Sequence, residues 1–187
     1  MKGLYRLFLI LTIIWMTVIF IFSSQNGALS SSTSGFFTGL VIDIFVPDFD
    51  AYDAIRQDEI MNMTSLIIRK TAHFVEFAIL SCLSFVTALT KLWSWRTDNY
   101  ISIHTKQARS DIFKSCRLRS FLWAIIFSSI YAVTDEFHQG FVDGRAPAIT
   151  DVLIDCCGAL FGALLITLII SRFYYKKYKV KRKKLPG

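Results

Sequence analysis

The chain has 187 residues, of which 53% are hydrophobic, with 17 Phe and only 3 Pro, and charged residues make up 19%. So many apolar side chains exceed what an ordinary soluble fold buries, and the excess is expected to face lipid. A net charge of +7 raises nucleic acid as a partner. The basic residues, however, cluster beside long apolar stretches, where they set topology and meet anionic lipid headgroups at about 1 kcal/mol each, so membrane lipids are the expected partners and nucleic acid is not.

A helix needs about 20 mostly apolar residues to cross the hydrocarbon core. In chain order, residues 4–22 form the first such span, broken only by Arg6. A secretory signal core runs to about 15 apolar residues, so this longer run is expected to stay as a membrane span. Residues 23–65 are rich in Ser and Gly and then in acids, which predicts an irregular outer loop. The second span covers 66–93, apolar apart from its polar first third. Residues 94–119 are polar and lack apolar periodicity, which predicts a flexible connector, with Trp93 and Trp95 in the interfacial aromatic belt. The third apolar run, 121–133, reaches spanning length only when Ser120 and the charged stretch 135–139 are drawn in, giving a helix over 120–139. The fourth span, 149–171, carries Asp151 and Asp155 in its first two turns and is followed by a basic tail, 172–187. The expected fold is therefore all-α: a single domain, 1–187, built as a bundle of four transmembrane helices.

Short loops rich in Lys and Arg remain in the cytoplasm. Lys2 and Arg6 precede the first span, seven basic residues lie between 91 and 119, and eight between 172 and 184. The acids do the reverse, with Asp43, Asp48, Asp50, Asp53, Asp58 and Glu59 in the first outer loop. Both biases place the N and C termini in the cytoplasm. Cys82, Cys156 and Cys157 then fall within the membrane and Cys116 in the cytoplasm, so no disulfide is expected.

This topology gathers the ionisable groups at the outer end. On the second helix Arg69, His73 and Glu76 share a face, with Lys70 beside them; on the third, Asp135, His138 and Gln139 share a face, with Glu136 turned aside by about 100°. A hairpin with Arg145 at its centre leads to Asp151 and Asp155 on one face of the fourth. Counted from Arg69 and Ile149, Glu76 and Asp155 lie roughly 10 Å along their helices. A charge at mid-membrane costs about 2.5–3.5 kcal/mol, which predicts one shared polar pocket. In the fourth helix, Gly158 and Gly162 form a GxxxG step flanked by Ala159 and Ala163, suited to close helix contact.

The segments RKTAHFVEFAIL at 69–80 and YAVTDEFHQGFVDGRAPAITDVLIDCCGALFG at 131–162, with SSQNGALSSSTS at 23–34, resemble the VanZ-like family of bacterial membrane proteins. The resemblance covers most of the chain and preserves the order of three separated motifs. It implies a cell-envelope protein of the bacterial membrane, in a family named for a member associated with resistance to teicoplanin. It also implies a characteristic polar set: Gln25, Arg69, Lys70, His73, Glu76, Asp135, Glu136, His138, Gln139, Arg145, Asp151 and Asp155. The chain departs from the family pattern at Phe77, where Tyr is common, and at Asp143 and Ala146-Pro147 in the hairpin.

Three readings of the cluster follow. In an enzymatic one, His73 or His138 serves as general acid or base beside Glu76, Asp135, Glu136, Asp151 or Asp155, while Gln25, Arg69, Lys70, Gln139 and Arg145 hold a phosphate or carboxylate of a lipid-linked cell-wall substrate. No nucleophile-elbow or Ser-x-x-Lys pattern surrounds Ser23 and Ser24. In a binding reading the pocket captures a lipid headgroup or a glycopeptide antibiotic, and in a structural reading the charges form an ion-pair network that holds the helices in register. The i, i+3 pairs His73/Glu76 and Asp135/His138 have the spacing of bundle-core metal ligands, but such clusters more often form hydrogen-bonded networks, so no metal is assigned and the cofactor is unknown.

Overall fold

The computed structural model describes residues 2–99 and 106–183, with side chains described outside 27–33, 99, 106–107 and 175–183. Among the described residues every regular element is helical: α1 Lys2–Ser23, α2 Gly27–Phe45, a single 3-10 turn Phe49–Ala51, α3 Ala54–Asn99, α4 Lys106–Gln139 and α5 Ile149–Lys183. Four of these, α1, α3, α4 and α5, are long and apolar enough to cross a membrane. The chain is an all-α membrane bundle.

Two stretches expected as loops are largely helical. In the 23–65 segment, α2 occupies 27–45 and α3 starts at Ala54. The Ser and Gly residues there lower helix propensity, but tertiary contact overrides it. Ser34, Thr38 and Ile42, at steps of four, are buried, and the Ser34 and Ser65 hydroxyls lie 3.2 Å apart across the α2–α3 contact. The other side of α2 exposes Phe36, Phe37, Leu40 and Ile44. Asp53 starts α3 as a side-chain cap, accepting from the Arg56 amide at 2.8 Å.

The expected connector over 94–119 is also mostly helix: α3 runs to Asn99 and α4 begins at Lys106, while 100–105 lie outside the described residues. The cause is packing: Trp93 meets Phe113 edge-on at 5.8 Å, and Phe113 stacks on Tyr174 at 3.7 Å. Of the basic tail, 172–183 continues α5 and 184–187 lie outside the described residues. At about 1.5 Å per residue, the 46 residues of α3 extend roughly 70 Å, more than twice the hydrocarbon thickness.

Helix α3 is the hub, packing against every other helix. Its closest partner is α5, and the two glycines explain why. A Cβ at Gly158 would sit 2.2 Å from the Phe74 carbonyl oxygen, and one at Gly162 would sit 2.1 Å from that of Ala78. Only hydrogen fits there, so backbone meets backbone as the GxxxG spacing predicts. Because 158 opposes 74 and 162 opposes 78, the two helices run parallel in fixed register. Helix α1 is tied on by two aromatic donors: Trp15 Nε1 donates to the Glu76 carbonyl at 2.9 Å, and the Tyr131 hydroxyl to that of Met16 at 2.7 Å. Phe77, at the position where the sequence departs from the family pattern, is wholly buried, with its ring 6.2 Å from that of Tyr131.

Candidate functional site

The α3–α5 register carries the polar residues with it. One and two turns before Gly158 come Asp155 and Asp151. They meet α3 at the matching height, where Asp151 pairs with Lys70, and Asp155 Oδ1 lies 3.6 Å from His73 Nδ1. Asp155 is fully buried, and neither of its carboxylate oxygens has a hydrogen-bond partner.

Helix α4 contributes Asp135, Glu136 and Gln139, all buried, and Gln139 donates to Asp135 at 2.9 Å. At about 100° per residue, Gln139 lies 40° from Asp135 and 60° from Glu136, whereas His138 lies 100° from Gln139. The face turned into the bundle therefore includes Glu136 and leaves His138 at its margin, a correction to the sequence expectation for both residues.

Their contacts follow from this placement. Glu136 Oε1 accepts from the Ala148 amide at 2.6 Å, just before α5 begins, and so places a carboxylate at that helix N-terminus. It holds the hairpin closed. His138 turns to α1, where its ring stacks on Phe20 at 4.7 Å and Nε2 lies 3.1 Å from Ser24 Oγ. The single Ser24 hydroxyl proton is already donated to the Phe20 carbonyl at 2.7 Å. His138 Nε2 is then the donor to Ser24, the reverse of what activating a serine nucleophile requires.

Above these buried groups opens a cavity of about 460 Å3. Arg69, Lys70, His73 and Glu76 reach it from α3, Gln139 from α4, Arg145 from the hairpin, Asp151 from α5 and Gln25 from the turn after α1. Phe22, Phe37, Leu66 and Ile68 supply an apolar part of the wall. Gly144 adopts φ 75°, a left-handed turn that suits glycine, and Arg145 Nη2 reaches back to the Phe22 carbonyl at 3.4 Å, taking up an acceptor at the end of α1.

The twelve polar positions thus divide. Gln25, Arg69, Lys70, His73, Glu76, Gln139, Arg145 and Asp151 line the cavity; Asp135 and Asp155 lie buried beneath it; Glu136 and His138 serve the hairpin and α1. Ser23, weighed in the sequence only as a nucleophile without a motif, is a buried hydroxyl in the cavity wall without a hydrogen-bond partner, and sequence reasoning missed Phe37, whose helix it took for a loop. Of the charges that could tie helices together, Lys70 of α3 pairs with Asp151 of α5.

The family model described as VanZ/LLP1 matches residues 8–170, most of the chain. No curated protein and no solved structure matches it.

Proposed function

Taking as premise that this membrane protein belongs to the VanZ/LLP1 family, we propose that its cavity binds the anionic headgroup of an amphiphile at the extracytoplasmic face of a bacterial cell membrane. A lipid-linked cell-wall component or a lipoglycopeptide of the teicoplanin type has the required chemistry, and occupancy lowers teicoplanin susceptibility. The observation that carries this reading is the make-up of the wall. Guanidinium groups of Arg69 and Arg145 approach from two different elements, while Phe22, Phe37, Leu66 and Ile68 supply apolar surface beside them. A charged headgroup with an acyl or prenyl tail needs both at once.

Sidedness rests on the basic residues concentrated at the opposite end, which the positive-inside rule assigns to the cytoplasm. The Ser24 hydroxyl is engaged with the Phe20 carbonyl, which speaks against a Ser24 nucleophile activated by His138.

The test compares teicoplanin susceptibility of cells expressing the wild type, Arg145→Ala and Arg69→Ala, with membrane levels of each protein measured. Wild-type protection that falls in both variants at normal levels supports headgroup capture. Protection that survives both substitutions, or a wild type that protects nothing, defeats it.

A further inference from the structure

Beneath the cavity, three side chains from three helices converge on one point. His73 of α3, Asp135 of α4 and Asp155 of α5 each present a ligand atom, and these atoms lie within 4.8 Å of one another. The His73 Nδ1 to Asp155 Oδ1 distance is 3.6 Å. That is too long for a hydrogen bond, and close to the edge of about 3.4 Å between two ligands each about 2.1 Å from a tetrahedral metal.

Acids gathered in one place are not in themselves a site. Here, though, Asp155 is 0% exposed with both oxygens unpartnered, and the buried His73 Nδ1 facing it has no hydrogen-bond partner either. A buried carboxylate normally accepts several hydrogen bonds, and leaving one bare costs kilocalories. Unsatisfied acceptors directed at a common centre are what a cation would satisfy.

We propose that His73, Asp135 and Asp155 bind one divalent transition-metal cation of the Mn2+, Fe2+, Co2+ or Zn2+ group. One imidazole nitrogen with two carboxylates suits these borderline ions. Calcium demands six to eight oxygens, and thiolates for a softer ion are missing from the cluster. Two carboxylates and a neutral imidazole around a dication sum to zero charge, which allows both acids to lie at this depth.

Support around the ligands has the form such sites use. Gln139 Nε2 donates to Asp135 Oδ2 at 2.9 Å and orients that carboxylate. His73 and Gln139 also belong to the cavity wall, so a cation would have an access path from the cavity. The ligand pairs differ from those suggested by i, i+3 spacing: Glu76 and His138 take no part, and Asp155 completes the set from another helix. The site stands whether or not the cavity takes a headgroup.

The experiment uses the full chain purified in detergent, stripped with chelator and titrated with Co2+ or Mn2+ alone. Metal retained after desalting is measured by mass spectrometry, and the cobalt form by its visible absorption. One equivalent is expected for the wild type, with a melting point raised on loading. Asp155→Asn and His73→Gln should lose that equivalent, and Gln139→Ala should weaken binding about 10- to 100-fold. If Asp155→Asn fails to fold, Asp135→Asn and His73→Gln read the same ligand set. A folded wild type that retains no cation overturns the proposal, as does an equivalent of metal that persists through the ligand substitutions. With a nonionic detergent no anionic headgroup is present, so failure here leaves the headgroup reading standing.

Discussion

Replacing Gly158 with Ala adds one carbon to α5 at the point where it lies on α3. The new Cβ would start 2.2 Å from the Phe74 carbonyl oxygen, with the carbonyl carbon at 2.9 Å. A carbon and a carbonyl oxygen rest no closer than about 3.3 Å, so the helices must part locally by about 1 Å. The obstacle is backbone rather than a side-chain tip, and no rotamer change relieves it. Overpacking of this kind costs about 1–3 kcal/mol. The same displacement draws Asp155 from His73, which sit one turn away at 3.6 Å. Thermal unfolding of the purified protein in detergent, followed by helical circular dichroism, is the assay. Gly39→Ala in α2 is the control, because nothing lies within 4 Å of its added Cβ. That substitution should be neutral, or stabilising by up to about 1 kcal/mol through helix propensity. If Gly158→Ala melts with the wild type, the close α3–α5 contact does not exist as described, and the register that brings Asp155 to His73 loses its cause.

Two further outcomes are expected. The Lys70–Asp151 pair is about one-third exposed on each side, so a double-mutant cycle with Lys70→Met and Asp151→Asn should give a coupling of at most about 1 kcal/mol, with a larger value showing a much drier pair. In a cysteine-free background, Asp50→Cys should react with a membrane-impermeant maleimide in intact cells and Lys114→Cys only after permeabilisation; the opposite pattern would invert the bundle and move the cavity to the cytoplasmic side.

Hydropathy carried three of the four spans, because a lipid-facing helix leaves an apolar mark of about 20 residues, while the third was legible only once the charged stretch 135–139 was drawn into its helix. That the fourth span makes a close helix contact at Gly158 and Gly162 was also legible, but not that α3 is the helix it meets. Helix α2 was not, because its Ser34–Thr38–Ile42 stripe is weakly apolar and gains meaning only against Ser65. Nor did local sequence show that α4 runs back to Lys106, where Phe113 is held by Trp93 and Tyr174 from elsewhere in the chain.

Within the site, helical spacing identified the polar set but not its partition. Sorting Glu136 from His138 required the direction of the bundle axis as seen from α4, which depends on where α3 and α5 stand. The convergence of His73, Asp135 and Asp155 is a meeting of residues as much as 82 positions apart. No spacing within one helix encodes it.

The glycine seam also bears on how the chain is assembled in the bilayer. Helix α5 carries the most apolar window of the four spans, which helps it enter despite two acids near its leading end. Standing alone in lipid, it would leave Asp155 against hydrocarbon, at about 2.5–3.5 kcal/mol. That exposure ends only when Gly158 and Gly162 settle onto Phe74 and Ala78, so α3 must already be in place. A copy in which this late helix misses the seam would differ from a finished one by a carboxylate left against hydrocarbon.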